Sequence, residues 1–318
     1  MRRALLIGID DYPFGALAGC VNDAKNVAAL LERHYDGSPN FSCKMMLSPG
    51  GNVTRAAIRS EVQALFATAC DFAVFYFSGH GTENNLGGYV VSHDAAAYDQ
   101  GVAMADIIQL ANAATSISEI AIVLDCCHSG HLGNIPALGA QNQSATLREG
   151  VSILTASRSS QVAVEIAGQG LFTRLFCDAL SGVASDITGE VNIAGIYSHI
   201  SRALGPWDQR PLYKSHVARL LSIRKTRPKI DLAALRRINE LFPTSNSVLH
   251  LTPAYESTEP AAEPDKVELF GVLQAYRDCG LLVPISESAL YYAAVRSGGC
   301  KLTPLGEYYW QLVSGNSV

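Results

Sequence analysis

The sequence predicts an α/β protein: a mostly parallel sheet with helices on both faces, followed by a small, mainly helical C-terminal domain. Two observations carry this. Up to residue 225, apolar runs of strand length alternate with amphipathic stretches, the pattern of parallel strands joined by crossover helices. The composition then shifts, and Thr252 to Asp265 holds three prolines and four acidic residues.

The strands read Ala4 to Ile9, Cys43 to Leu47, Phe72 to Ser78, Ile120 to Leu124, Gly150 to Thr155 and His216 to Ile223. Between the first two, Ala24, Val27, Ala28 and Leu31 recur at helical spacing, with Asn22 or Asp23 placed to cap the helix. Thr54 can cap a second helix whose stripe is Ile58, Val62, Leu65 and Phe66. Leu171 to Leu180 and Ile193 to Leu204 complete a first domain over 1–228. Residues 229–265 read as a bridging helix, Asp231 to Phe242, and a Pro/Glu-rich linker. Residues 266–318 read as a small domain with helices Val267 to Cys279 closed by Gly280, Glu287 to Arg296, and Pro304 to Val313 capped by Thr303.

With 48% apolar and 17% charged residues in 318, the chain has the balance of a folded globular protein. Its longest apolar runs are too short to cross a bilayer, so no membrane partner is expected. The stretch Ala4 to Ile9 runs directly into Asp10 and Asp11 without a small-residue cleavage site, so it reads as a core strand and not a signal peptide. Eight scattered cysteines without a C-x-x-C suggest neither a disulfide framework nor a zinc ribbon, and fit a reducing cytoplasm. The net charge of -5 opposes phosphate, which argues against a DNA or RNA partner.

Two strand ends carry chemistry. Phe75-Tyr-Phe-Ser78-Gly79-His80-Gly81 places a histidine between glycines, and Ile122-Val-Leu-Asp125-Cys126-Cys127-His128-Ser129-Gly130 repeats the design around cysteine. In a parallel sheet both loops open at the carboxyl edge, so His80 and Cys127 can meet there. The imidazole can take the thiol proton and later protonate a leaving amine, while the amides of Gly81 and Cys127 are candidate oxyanion donors. The bland readings are buried structural cysteines, or zinc held by Cys126, Cys127, His128 and His131, although adjacent ligands bite poorly in a tetrahedral site.

Over residues 1 to 225 these motifs resemble the caspase, metacaspase and paracaspase group, with Asp-Cys-Cys-His-Ser-Gly closest to prokaryotic metacaspase-like proteins. Ile7-Gly8-Ile9-Asp10, Leu17-Ala-Gly19-Cys20-Val-Asn22-Asp23-Ala24, Thr155-Ala-Ser-Arg-Ser-Ser-Gln161 through Glu165, Gly170-Leu-Phe-Thr173 and Gln209-Arg-Pro211 add to the resemblance. It implies a caspase-like cysteine endopeptidase with Cys127, not Cys126, as nucleophile. It also implies an acidic first-specificity pocket from Asp23, Ser78 and Asp125, hence cleavage of protein substrates after Arg or Lys. Asp23 and Asp125 can alternatively be helix caps.

Many metacaspases bind calcium through aspartates. Asp94 and Asp106 match two of these, but Ala105 and Asn134 stand where others are expected, which makes a weak case for a hard cation. No cofactor is required for the chemistry itself. The stretch from Gly133 to Glu149 reads as a long exposed loop, in which Arg148 is a candidate for self-cleavage and an unprocessed loop is the alternative.

Residues 231–318 carry six basic and ten acidic side chains, a local charge of -4. The run Lys301 to Trp310 faintly resembles the last helix of winged-helix modules, but the acidic surface argues against DNA. The resemblance implies a regulated effector in prokaryotic stress, cell death or antiphage defence. In that reading the C-terminal region takes an activating small ligand of nucleotide type or an activator protein. The alternatives are a packing extension for this region and a catalytically silent binding scaffold for the whole chain.

Overall fold

A computed structural model describes residues 1–50, 53–85, 87–96, 99–126, 146–156, 165–166, 169–204 and 211–316. Two compact units are present, Met1–Ser185 with Gly189–Arg227, and Asp186–Thr188 with Pro228–Val318.

The first unit begins β1 (Arg2–Gly8), α1 (Cys20–Glu32), β2 (Phe41–Leu47), α2 (Arg55–Ala67) and β3 (Cys70–Ser78). A three-stranded antiparallel sheet follows, β4 (Gly81–Asn84), β5 (Gly87–Ala96) and β6 (Asp99–Ala103), then α3 (Met104–Ala113), β7 (Ile117–Asp125) and β8 (Val151–Thr155). After the short pair β9 (Glu165–Ile166) and β10 (Gln169–Gly170) come α4 (Leu171–Asp178), β11 (Glu190–Val191), α5 (Ile193–Leu204), β12 (Leu212–His216) and β13 (Arg224–Lys225). The central sheet has the order β12-β8-β7-β3-β1-β2. Only the β12–β8 pair is antiparallel, so the expected mostly parallel sheet is present.

Its middle strands are apolar on both sides because both sides are covered. Phe72, Val74 and Tyr76 of β3 pack with Ala24, Val27 and Leu31 of α1 and Phe176 of α4. Ala73, Phe75 and Phe77 pack with Ile58 and Val62 of α2 and Ile107 of α3. Burying each large side chain stabilises the fold by roughly 1.5–3 kcal/mol, and the opposed clusters hold the strand ends in place.

Thr54 caps α2, accepting from Ala57 N, as the sequence suggests. The start of α1 differs from expectation. Asp10, beyond the end of β1, accepts from the backbone N–H groups of Gly19, Cys20 and Val21 at 3.1, 2.7 and 3.3 Å. This leaves neither Asn22 nor Asp23 needed as the cap. The last strand also differs: it runs over Leu212–His216 rather than His216 to Ile223, and Ile223 instead joins the α1–α4 core.

The second unit has α6 (Leu232–Arg236), α7 (Ile238–Leu241), β14 (Val248–His250), α8 (Pro264–Asp278), β15 (Leu282–Pro284), α9 (Leu290–Val295), β16 (Gly299–Leu302) and α10 (Pro304–Ser314). Helices α8, α9 and α10 are legible in the sequence, and Thr303 caps α10 as expected, whereas the single helix expected over Asp231 to Phe242 is two short ones, α6 and α7. The antiparallel sheet β14-β16-β15 is not, since strands of three or four residues leave no period to read. Leu235, Ile238, Phe242 and Leu251, from the segment 229–265 expected as bridge and linker, pack into one core with Phe270, Leu273, Tyr276 and Leu302.

Candidate active site

The pairing register aligns the carboxyl ends of the middle strands. Gly8 lies opposite Ser78, and Ser78 opposite Asp125. Side chains two apart share a face, so Ser78 follows Tyr76, and Asp125 follows Val123, onto the side covered by α1 and α4.

Asp23, in the first turn of α1, meets them there. Ser78 Oγ donates to Asp23 Oδ2 at 3.2 Å, and the Gly170 N–H donates to the same oxygen at 3.3 Å. Thr173 Oγ1, in the first turn of α4, donates to Asp125 Oδ2 at 2.6 Å. Both carboxylates are buried, Asp23 being 2% and Asp125 9% exposed. Asp23 Oδ1 has no hydrogen-bond partner among the described residues. Burial first, and then the neighbouring charge of Asp125, push the Asp23 carboxyl up to about 7. Two carboxylates removed from water resist joint ionisation unless a cation joins them. A Cβ on Gly170 would stand 2.7 Å from Asp125 Oδ2 and 3.2 Å from Asp23 Oδ2, so only glycine lets the backbone lie against the pair.

His80 is held from the opposite side. Its Nε2 lies 2.7 Å from the carbonyl oxygen of Gly15. A carbonyl only accepts, so Nε2 carries a proton, and the tautomer compatible with this contact has its lone pair at Nδ1. The His80 backbone N–H donates to Tyr12 Oη, which donates in turn to the Val91 carbonyl, each at 3.1 Å. The Tyr12 ring packs 4.7 Å from the imidazole and the Phe14 ring 6.0 Å from it. A Cβ at Gly79 would come within 2.5 Å of Tyr12 Oη, so the turn before His80 must be glycine. Gly81 opens β4, paired with Val90 of β5.

The described chain reaches the buried Cys126 at the end of β7. Cys127 lies outside the described residues, as do His128, His131 and Asn134. The seven described cysteines are free thiols.

Arg148 is engaged elsewhere. Its Nε donates to Ala111 O at 3.1 Å, and Nη2 donates to Ala114 O and Ile117 O at 2.8 and 2.9 Å. It thereby binds carbonyls at the end of α3 to the start of β7. These bonds must break before the side chain can enter any pocket.

Asp94 accepts from the Arg55 N–H at the start of α2, and Asp106 pairs with Arg59 at 3.6 Å. Calcium needs six to eight oxygens, and these two carboxylates already serve other partners, so the described residues do not fit that ion. Among the described residues no group of three or more His, Cys, Asp or Glu side chains is placed to hold a metal. No helix among them is long and apolar enough to cross a membrane.

Several contributors are not readable from the sequence. The Gly15 carbonyl has no sequence signal, because any residue supplies one. Tyr12 and Phe14 carry no pattern that marks them as neighbours of residue 80. Thr173 lies within a quoted motif, but its carboxylate contact depends on where α4 docks.

A model of the Caspase domain family matches residues 1–222. Metacaspase-8 of Arabidopsis thaliana is 33% identical over 146 residues, 41% of this chain and 38% of that protein. Metacaspase-3 of Trypanosoma cruzi is 31% identical over 154 residues, 42% of each protein. Metacaspase-1A of Aspergillus oryzae is 28% identical over 155 residues, 42% of this chain and 36% of that one. The chain thus spans less than half the length of these curated relatives. They are eukaryotic, and support the metacaspase resemblance without singling out a prokaryotic branch. Caspase-1 from Spodoptera frugiperda shares the fold with a TM-score of 0.52 at 13% identity, covering 71% of this chain and 90% of that one. Protein GSU0716 from Geobacter sulfurreducens does so with a TM-score of 0.51 at 17% identity, covering 71% and 97%. With the family model matched across the first unit up to residue 222, and that unit's fold shared with a solved caspase, the chain belongs to the caspase domain family.

Proposed function

We propose that the chain is a cysteine endopeptidase that cuts protein substrates after Arg or Lys. Cys127 is the nucleophile, His80 the base, Gly81 and Cys127 the oxyanion donors, and Asp23, Ser78 and Asp125 the specificity pocket. The observation that carries the reading is the buried carboxylate pair: an unpartnered Asp23 oxygen and a carboxyl raised to about 7 form a place that gains from a cation. A guanidinium satisfies both carboxylates through parallel hydrogen bonds.

In the chemical step, His80 Nδ1 takes the Cys127 proton and the thiolate attacks the scissile carbonyl. The Gly81 and Cys127 amides receive the oxyanion. The imidazolium then protonates the leaving amine, and water, deprotonated by the same nitrogen, releases the acyl group. The Gly15 carbonyl keeps the ring oriented throughout and stabilises the imidazolium as it forms.

The second unit, with a core of its own, is assigned control of this step through a ligand or partner protein. The stress, cell-death or antiphage setting implied by the resemblance suits a peptidase held off until signalled. Self-cleavage after Arg148 belongs to this reading only as a step that follows release of the Arg148 contacts.

The test compares wild type with Cys127→Ala, with calcium, candidate ligands and native partner proteins supplied, on fluorogenic peptides ending in Arg, Lys or Asp. Wild type is expected to cut the first two, and the variant none. A wild type that cuts none, or a variant that matches wild type, rejects the reading in favour of a binding scaffold. Gly170→Ala is expected to raise KM for Arg peptides about tenfold or more by pushing a methyl group against Asp125, with kcat changed less. Steady-state kinetics on the same peptides measure this split.

A further inference from the structure

We infer that the cavity beside His80, on the face of the sheet away from the two carboxylates, receives the side chain of the residue directly after the scissile bond, and that this residue is apolar. The inference rests on the peptidase reading above and extends it to the leaving side of the substrate.

The cavity, of ≈ 360 Å³, is lined by Phe14, Thr82, Val91, Ala95, Ala96 and Gln100. It is built onto the backbone that carries the imidazole. Val91 N donates to the His80 carbonyl at 3.0 Å, and Tyr12 packs against both Phe14 and His80 at 5.4 and 4.7 Å. Phe14 is 56% exposed, a large apolar surface left open beside a candidate general base.

Its position decides what it receives. Tyr12 and Val91 belong to the apolar cluster on the α2–α3 face, whereas Ser78 and Asp125 follow Tyr76 and Val123 onto the α1–α4 face. His80, two residues beyond Ser78 and packed on Tyr12, joins the strand end that holds the carboxylate pair to the backbone that lines the cavity. With an Arg side chain on the carboxylates, the scissile carbonyl faces the dyad, and the leaving nitrogen must come within hydrogen-bond reach of the imidazole that protonates it. The chain beyond that nitrogen departs along the imidazole side, and its first side chain meets Phe14, Val91, Ala95 and Ala96. Among the described residues no charged group lines the cavity, so Leu or Phe gains by burial there while Asp or Lys loses hydration without a partner.

The test uses the 318-residue chain, with calcium, candidate ligands and native partner proteins supplied, and peptides identical except for the residue after a single Arg: Leu, Phe, Gly, Asp or Lys. Cleavage directly after the Arg is scored from the products by mass spectrometry, because Lys is itself a candidate cleavage residue. For Leu and Phe, kcat/KM is expected to exceed that for Gly about tenfold or more, with Asp and Lys lower still. Ala95→Asp places a carboxylate in the wall and is expected to invert the Leu-to-Lys ratio. Because that ratio is measured within one preparation, the fraction of active protein cancels. Cleavage of all five peptides at rates within about threefold of one another overturns the inference and leaves the peptidase reading standing. So does an Ala95→Asp protein whose ratio is unchanged. If wild type cuts none of the five, the peptidase reading fails and the inference fails with it.

Discussion

Replacing His80 with alanine is expected to lower kcat/KM on Arg-ending peptides about a thousandfold or more, through kcat rather than KM. A cysteine without its imidazole is mostly a thiol at neutral pH, and the leaving amine loses its proton donor as well. The geometry makes the expectation specific. The Gly15 carbonyl, 2.7 Å from Nε2, commits that nitrogen to donation, so in the proposed mechanism the proton moves through Nδ1. The ring is partly exposed and packed on one side by Tyr12 and Phe14, so its removal is expected to leave the thermal transition nearly unchanged. Alkylation of Cys127 by iodoacetamide near pH 7 provides a second readout, expected to slow in step with peptide cleavage. A His80→Ala protein that keeps more than about a tenth of wild-type activity removes His80 from the mechanism.

Asp23→Asn is expected to cost activity and add stability together. Cleavage of Arg peptides should fall about a hundredfold or more, because an amide keeps the contacts from Ser78 and Gly170 but loses the charge a guanidinium needs. The stability effect has a definite sign. The folded Asp23 carboxyl is held near 7 against an ordinary 3.8, so the folded state binds the extra proton between these values. The stability it contributes is present in full below about 4 and is lost as pH rises toward and through about 7. The substituted amide has no proton to lose. The variant should therefore gain on wild type by about 1–3 kcal/mol between pH 4 and 8, visible as a widening gap in Tm. Glu119, also raised to about 7 by burial, titrates in both proteins and drops out of the difference. In wild type, KM for Arg peptides should rise as pH falls below about 7, where Asp23 becomes neutral. Peptide kinetics against pH and thermal melts against pH check the two halves separately. Loss of activity without the widening gap would mean that Asp23 is not a strained buried acid, and the specificity argument would fail with it.

A trade of stability for a charged pocket is what a binding site for a cation requires. Buried like charges are tolerated where a ligand, and not the fold, is to be their partner. Helix capping offers the blander account of Asp23 and Asp125. For α1 the geometry replaces it, since Asp10 binds the first N–H groups and Asp23 faces Ser78 and Gly170 instead.

The chain read alone yields the alternation of strands and helices and the two strand-end motifs, whereas the proposed acidic pocket comes from the family resemblance. Each of the first two is written locally: Phe72 to Phe77 is an unbroken apolar run, Ala24 to Leu31 keeps helical spacing, and His80 and Cys127 sit in short contiguous motifs. The small antiparallel sheet β4–β6 and the strands of the second unit are not legible there. Their pairing joins separate short segments, and most are too short to show a period. The cap of α1 escapes a local reading for a related reason: Asp10 reaches Cys20 only after the chain folds back over the end of β1. Arg148, a loop arginine by composition, becomes a fastener of α3 once three carbonyls from Ala111 to Ile117 are gathered around it. The tautomer of His80 and the raised carboxyl of Asp23 likewise need the folded chain. A carbonyl at residue 15, a hydroxyl at residue 78 and an amide at residue 170 act on side chains far away in sequence, and only packing brings such groups within hydrogen-bond distance.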